Sequence, residues 1–244
     1  MATRIEPFEK THWFWLWGLP VACVLFILAA SQMGHDLVNA VIVSPFGLCE
    51  NLPTIFLMVG VWYAIAIARL PEADKLRGWM IVYALALVYF AGEDQNWFQY
   101  WLGAEVPDFF LEHNREKEIN LHNINGWFNQ KPRILVEVWS VVACILVPLG
   151  IWAWPRRATQ KFIPANLWPD TRVVPIAVIS FVIGMSGRIF KHFFPEIGFN
   201  ANPGEVGIMS ELFPGVRISE LQEITFAYLM LLFPLLLYRR LRAM

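Results

Sequence analysis

The chain has 244 residues, 57% of them hydrophobic and 16% charged, against roughly a quarter charged in an ordinary soluble domain. Mean hydropathy is +0.47, and 12 Trp and 19 Phe exclude a disordered chain and point to a bilayer as the solvent. A net charge of −1 without a basic stripe argues against nucleic acid as a partner. The three Cys (Cys23, Cys49, Cys144) form no CxxC pair and leave an odd count, which excludes a disulfide scaffold and a thiolate zinc site.

A spanning helix needs about 20 largely apolar residues. Six segments qualify, at about 13–32, 52–70, 78–92, 134–154, 173–192 and 218–238. The predicted fold is therefore an all-α, six-helix membrane bundle in a single domain. Ala29-Ala30-Ser31 resembles a signal-peptide cleavage site, but the long Trp-rich stretch, preceded by Glu6 and Glu9 as well as Arg4 and Lys10, favours a retained helix. Pro20, Pro148 and Pro234 fall inside the first, fourth and sixth segments, where each permits a kink.

Direction follows from Lys and Arg. With both termini cytoplasmic, twelve of the 19 basic residues lie inside and seven outside. The expected location is a bacterial inner membrane. The inner connections near 71–77 and 155–172 are short and basic. The outer loop at 92–133 is long, which is uncommon unless the loop is functional or structured. Within it Trp97, Phe98, Trp101 and Leu102, with Asn96 and Gln99 among them, predict a short interfacial helix.

Fifteen of the 20 acids fall outside or at outer helix ends. Glu50 precedes the second segment, Glu93 and Asp94 end the third, Glu137 sits about one turn into the fourth, and Glu220 and Glu223 begin the sixth. Glu50, Glu220 and Glu223 suit helix N-termini, where the dipole favours an anion. Glu93 and Asp94 sit at a C-terminus, where it does not. Arg188, Lys191 or a cation are the expected compensation. A carboxylate in apolar surroundings is costly unless it is paired, protonated or metal-bound.

The outer loop also holds Glu116-Lys117-Glu118-Ile119-Asn120-Leu121-His122-Asn123. If helical, it puts Glu118 and His122, and Glu116 and Asn120, on shared faces. Carboxylate and imidazole so spaced suit a divalent cation or an acid–base pair. Gly92, Glu93, Trp97 and Gln99, followed by Asn114, Glu118, Asn120, Leu121, His122 and Asn123, are similar to two runs of a bacterial multi-pass membrane family. Those runs read Gly-Glu-Glu-x-x-Trp-x-Gln at a helix end and Asn-x-x-x-Glu-x-Asn-Leu-His-Asn about 20 residues later. The chain departs with Asp94 in place of a second Glu and Tyr100 where a basic residue is frequent. The resemblance covers about 35 residues and implies no activity, but it implies that Glu93, Asp94, Glu118 and His122 share one site.

Three functions compete. The first is a metal-assisted or acid–base enzyme at headgroup depth acting on a lipid or lipid-linked substrate. Its catalytic groups would be Glu118 and His122, and its ligands Glu93, Asp94, Glu118 and His122. Glu50, Asn120, Asn123, Glu137, Arg188, Glu220 and Glu223 would support them. An oxygen-rich set favours Ca²⁺ or Mg²⁺ over Zn²⁺. The second is an assembly or accessory subunit in which the acids form a structural ion-pair network with Arg188. The third is an ion-coupled transporter, disfavoured because the acids lie at one surface and no inverted repeat is visible.

Overall fold

The computed structural model describes residues 13–153, 170–194, 196–198 and 207–243. All regular structure among the described residues is helical. The first predicted segment forms α1 (Phe14–Ala30), a shorter apolar helix. Five helices are long and apolar enough to cross a membrane: α2 (Leu48–Ala68), α3 (Pro71–Asp94), α4 (Gly126–Gly150), α5 (Thr171–Phe193) and α6 (Ile218–Arg242). They correspond to the second to sixth predicted segments. Arg4, Lys10, Arg156, Arg157 and Lys161, on which the direction argument leans, lie outside the described residues.

Helix α6 is the hub. It packs on α2 and α5, while α2 also carries α3, and α4 leans on α5. Of its apolar window 78% is buried, against 22% for α4. A helix that is apolar all round belongs at a core. Gly60 lets α2 sit close to both α3 and α6: a Cβ there would lie 2.9 Å from Leu87 Cδ1 of α3 and 3.4 Å from the Met230 carbonyl oxygen of α6. The α5–α6 approach depends on Gly184 and Gly187, whose added Cβ atoms would meet Gln222 Nε2 at 1.8 Å and Ile218 Cγ2 at 2.7 Å.

The three predicted kink prolines are accommodated in two ways. Proline cannot bond the carbonyl four residues back, and its ring crowds that oxygen. For Pro20 and Pro148 that carbonyl belongs to Leu16 and Cys144. Each lies within a π-helical turn, Phe14–Gly18 and Val142–Leu146, which widens the backbone there. For Pro234 it belongs to Met230, and the Tyr83 hydroxyl of α3 donates to that oxygen at 2.9 Å.

Helix α4 begins at Gly126, earlier than its hydropathy suggests, because the Asn125 side chain caps it, accepting from the N–H groups of Trp127 and Phe128 at 2.9 and 3.3 Å. Glu137 is therefore about three turns into the helix rather than one. Helices α3 and α4 make no extended contact with each other. They meet where Tyr83 faces Trp139 at 6.0 Å between ring centres, with Phe233 of α6 against both.

The long loop is ordered but does not contain the predicted interfacial helix. Asn96, Trp97 and Phe98 are left-handed, with φ of 50, 52 and 63°, so helical structure is confined to one turn at Gln99–Leu102 and a short helix at Asp108–His113. The stretch containing Glu116 to Asn123 is a series of turns, with Lys117 also left-handed at φ 57°. The helical pairs Glu118–His122 and Glu116–Asn120 therefore do not form.

Candidate functional site

Glu93 is the point where the two halves of the loop meet. Its Oε2 accepts from the backbone N–H groups of Leu121 (2.8 Å) and His122 (2.9 Å), and its Oε1 from Trp97 Nε1 (2.9 Å). The His122 imidazole lies 3.5 Å from the same carboxylate through Nδ1. Gly92 makes this possible, because a Cβ there would sit 2.9 Å from the Trp97 ring. Gln99 Oε1 accepts from Ile119 N–H at 2.8 Å, and Asn120 Nδ2 donates to Asn96 Oδ1 at 2.5 Å. Asn114 donates to the carbonyl and side-chain oxygens of Asn120 at 2.9 and 2.8 Å, while its own Oδ1 accepts from Glu116 N–H at 2.9 Å. Asn120 Oδ1 in turn accepts from Asn123 N–H at 3.2 Å. The buried amides are thus the reason the loop adopts turns: they take up backbone groups that a helix would pair internally.

The loop closes one end of a cavity of about 640 Å³. At the loop end it is lined by Glu50, Asp94, Glu220 and Glu223, with Tyr100, Glu118 and His122 from the loop and Arg133 and Arg217 beside them. Away from the loop the lining becomes apolar, with Leu57, Phe90, Val136, Phe226, Ala227 and Met230. From Glu223 to Met230 the helical rise is about 10 Å. Glu50, Asp94, Glu220 and Glu223 lie close enough for their charges to act on one another. Asp94 Oδ2, Glu220 Oε2 and the Thr54 hydroxyl are buried and make no hydrogen bond of ordinary length, the Thr54 hydroxyl being the donor beside the Asp94 carboxylate.

Glu118 is held at the cavity rim. Its Oε1 accepts from the Tyr100 hydroxyl at 2.6 Å and its Oε2 from Asn120 Nδ2 at 3.2 Å. That carboxylate, with burial adding to it, pushes the Tyr100 phenol up to about 12, so the phenol remains a donor. Burial alone would depress the His122 imidazole. The Glu93 carboxylate, helped by the charges of Glu223 and Glu116, outweighs it and holds the imidazole above the ordinary histidine range.

A second polar knot ties α4, α5 and α6. Glu137 Oε1 accepts from Arg188 and from Gln222 Nε2 (3.4 Å), and Arg133 Nε lies 3.5 Å from it. Arg133 also donates to Gln222 Oε1. Arg188 therefore compensates Glu137, not Glu93 or Asp94 as expected. Glu93 is compensated by neutral donors and His122. Lys191 is exposed, and the Asp94 carboxyl has the neutral Thr54 hydroxyl beside it rather than a cation.

Of the predicted residues, Glu50, Glu93, Asp94, Glu118, His122, Asn123, Glu220 and Glu223 line the cavity, Asn120 sits in its loop wall, and Glu137 and Arg188 belong to the neighbouring knot. Among the described residues no three His, Cys, Asp or Glu side chains are placed to share a metal ion. Glu93, Asp94, Glu118 and His122 therefore do not form one ligand sphere, because Glu93 and Glu118 are spent on loop donors. Sequence reasoning missed Gln95, Arg133, Arg217 and Gln222. Gln95 is buried, donates to the Glu50 carbonyl and accepts from Trp101 Nε1 at 3.1 Å. Its one signal was an amide directly following a helix-ending acid pair. Comparison of the chain with family models, curated proteins and solved structures finds no match.

Proposed function

We propose that this is an inner-membrane protein of six spans with both termini cytoplasmic, and that its cavity is an outward-facing acid–base site for a lipid or lipid-linked substrate. The observation that carries the reading is the cavity's graded lining. Carboxylates stand at one end and apolar side chains at the other, and α2 and α6 line it together with α3 and α4, two helices that make no extended contact with each other. A headgroup would meet the carboxylates while its chain lies along Phe90, Val136 and Met230. Asp94 and Glu223 are the groups best suited to exchange a proton with the substrate, since like charges sharing a site do not all ionise together. Glu118 and His122 bound the entrance. The metal-assisted version of this chemistry has no ligand set in the geometry described above, and the acid–base version does not need one.

The test is to reconstitute the protein in liposomes of total bacterial polar lipid and follow the lipid profile by mass spectrometry. The expected result is a species consumed by the wild type and spared by Asp94→Asn. A folded wild type whose profile matches that of the variant overturns the reading. That outcome would favour the accessory-subunit alternative, which the Glu137–Arg188–Arg133–Gln222 knot also supports.

A further inference from the structure

The segment that follows α3 is pulled two ways. Its sequence reads as a continuation of the helix: Trp97, Phe98, Trp101 and Leu102 recur at helical spacing, and Gly103, left-handed at φ 59°, caps the turn that ends at Leu102. The structure instead reverses the chain at Asn96, Trp97 and Phe98, all left-handed. Asn tolerates that conformation, but Trp and Phe hold it at a cost that glycine would avoid. Such residues persist only where the surrounding contacts over-determine them. Those contacts are specific here. Glu93 accepts from Trp97 Nε1 and from the Leu121 and His122 amides, Asn96 from Asn120, and Gln99 from Ile119. The Trp97 ring lies against Gly92, where a Cβ would meet it at 2.9 Å, and Trp101 Nε1 reaches back to Gln95 Oε1 at 3.1 Å.

We propose that residues 95–102 are a two-state switch at the mouth of the cavity. In the closed form the reversal is latched to the Ile119–His122 stretch, and Asn96, Tyr100, Glu118 and His122 wall the loop end of the cavity. In the open form the segment turns right-handed and extends α3 to Leu102, with Gly103 as its cap. The helix lengthens by about 12 Å, and Asn96 and Tyr100 leave the cavity wall. The open form recovers helical hydrogen bonds and relieves three left-handed residues, while the closed form keeps the latch and the seat of Trp97 on Gly92. Opposed terms of this kind make an element bistable. The aromatic spacing that predicts a helix and the reversal that replaces it are then the two states of one segment. The switch holds whatever the cavity accepts.

The experiment is double electron–electron resonance on the full chain in lipid nanodiscs, with spin-labelled unnatural amino acids at the exposed positions Trp79 and Leu102. A continuous helix puts these two positions about 35 Å apart. The reversed segment, with Trp101 turned back to Gln95, gives a shorter separation. The wild type is expected to show mainly the shorter distance. Gly92→Ala, which takes the seat from the Trp97 ring, and Glu93→Gln, which breaks the latch, are each expected to raise the longer one. Phe98→Gly and Phe98→Ala remove the same ring, but Gly suits the left-handed form and Ala the helix. In the Gly92→Ala background the ratio of long to short distances is expected to be about tenfold higher with Phe98→Ala than with Phe98→Gly. Equal ratios overturn the inference, and so does the shorter distance alone in both Gly92→Ala and Glu93→Gln. A broad spread of distances in place of the long one also overturns it, because the segment then frays instead of extending. Should Glu93→Gln not fold, the Gly92→Ala series, which alters no polar group, still decides. The lipid assay above does not read this distance, so the two proposals fail separately.

Discussion

A carboxylate at a helix C-terminus stands in an unfavourable field, yet Glu93 is held there by three N–H donors aimed at its two oxygens. The anion is useful because it accepts at both oxygens. A glutamine accepts at one only, so in Glu93→Gln either Trp97 or the Leu121 and His122 amides face an NH₂ group. Leaving a buried donor unmade costs about 1–3 kcal/mol. Thermal unfolding of Glu93→Gln in detergent should show that loss, together with faster proteolysis between residues 96 and 123. Unchanged protease resistance would mean that Glu93 does not hold the loop.

His122 gives the clamp a pH dependence with a defined sign. Its folded-state pKa lies above the ordinary value of 6.5, the Glu93 attraction outweighing burial. The stabilisation is therefore fully present below that ordinary value and is lost as pH rises through the raised folded value. Amide exchange at Leu121 and His122, corrected for the intrinsic pH effect, should accelerate over that window in the wild type. The extra step should vanish in His122→Gln. A wild-type profile as flat as the variant's would contradict the pairing.

At the scale of elements, the bundle depends on what happens at its prolines. The Met230 carbonyl loses its helical partner to Pro234, and the Tyr83 hydroxyl replaces it. Tyr83→Phe keeps the ring packing against Trp139 and Phe233 but leaves that oxygen buried and unpaired. A loss of about 1–3 kcal/mol is expected, measured as a lower midpoint of thermal unfolding in detergent. A neutral result would show that α6 satisfies the carbonyl in another way, for instance through a bound water.

The helices were legible in the sequence because an apolar stretch of this length has few other uses, and their boundaries were less so. The start of α4 is set by Asn125, a polar cap that hydropathy does not register. The loop was misread for a related reason. The aromatic spacing from Trp97 to Leu102 fits a helix, but three consecutive left-handed residues reverse the chain there, held by side-chain bonds from Glu93, Asn96 and Gln99 to partners about 20 to 30 positions away. Local periodicity carries no information about such partners. The same limit hides the partner of Arg188, which the sequence offers, with Lys191 or a cation, only as a candidate for Glu93 and Asp94: Glu137 is 51 positions from it in sequence. Glu50, Asp94, Glu220 and Glu223 were legible as a set because they all fall at helix ends expected on the same side of the bilayer, and topology then brings those ends together.

At the scale of the whole molecule, one end of the bundle carries an acidic cavity that grades into an apolar lining drawn from α2, α3, α4 and α6, and Tyr83, Trp139 and Phe233 pack together where α3 and α4 meet. Two helices of membrane-spanning length that make no extended contact are expected to have something between them, because unfilled space forfeits dispersion contacts on both walls. The most direct measurement is an electron cryo-microscopy map of the protein in a lipid nanodisc made with bacterial lipid. The account predicts elongated density between α3 and α4, reaching past Val136 and Phe90 to a headgroup at Asp94 and Glu223. A map in which α3 and α4 close on each other, or in which only separate solvent peaks occupy the cavity, would contradict it.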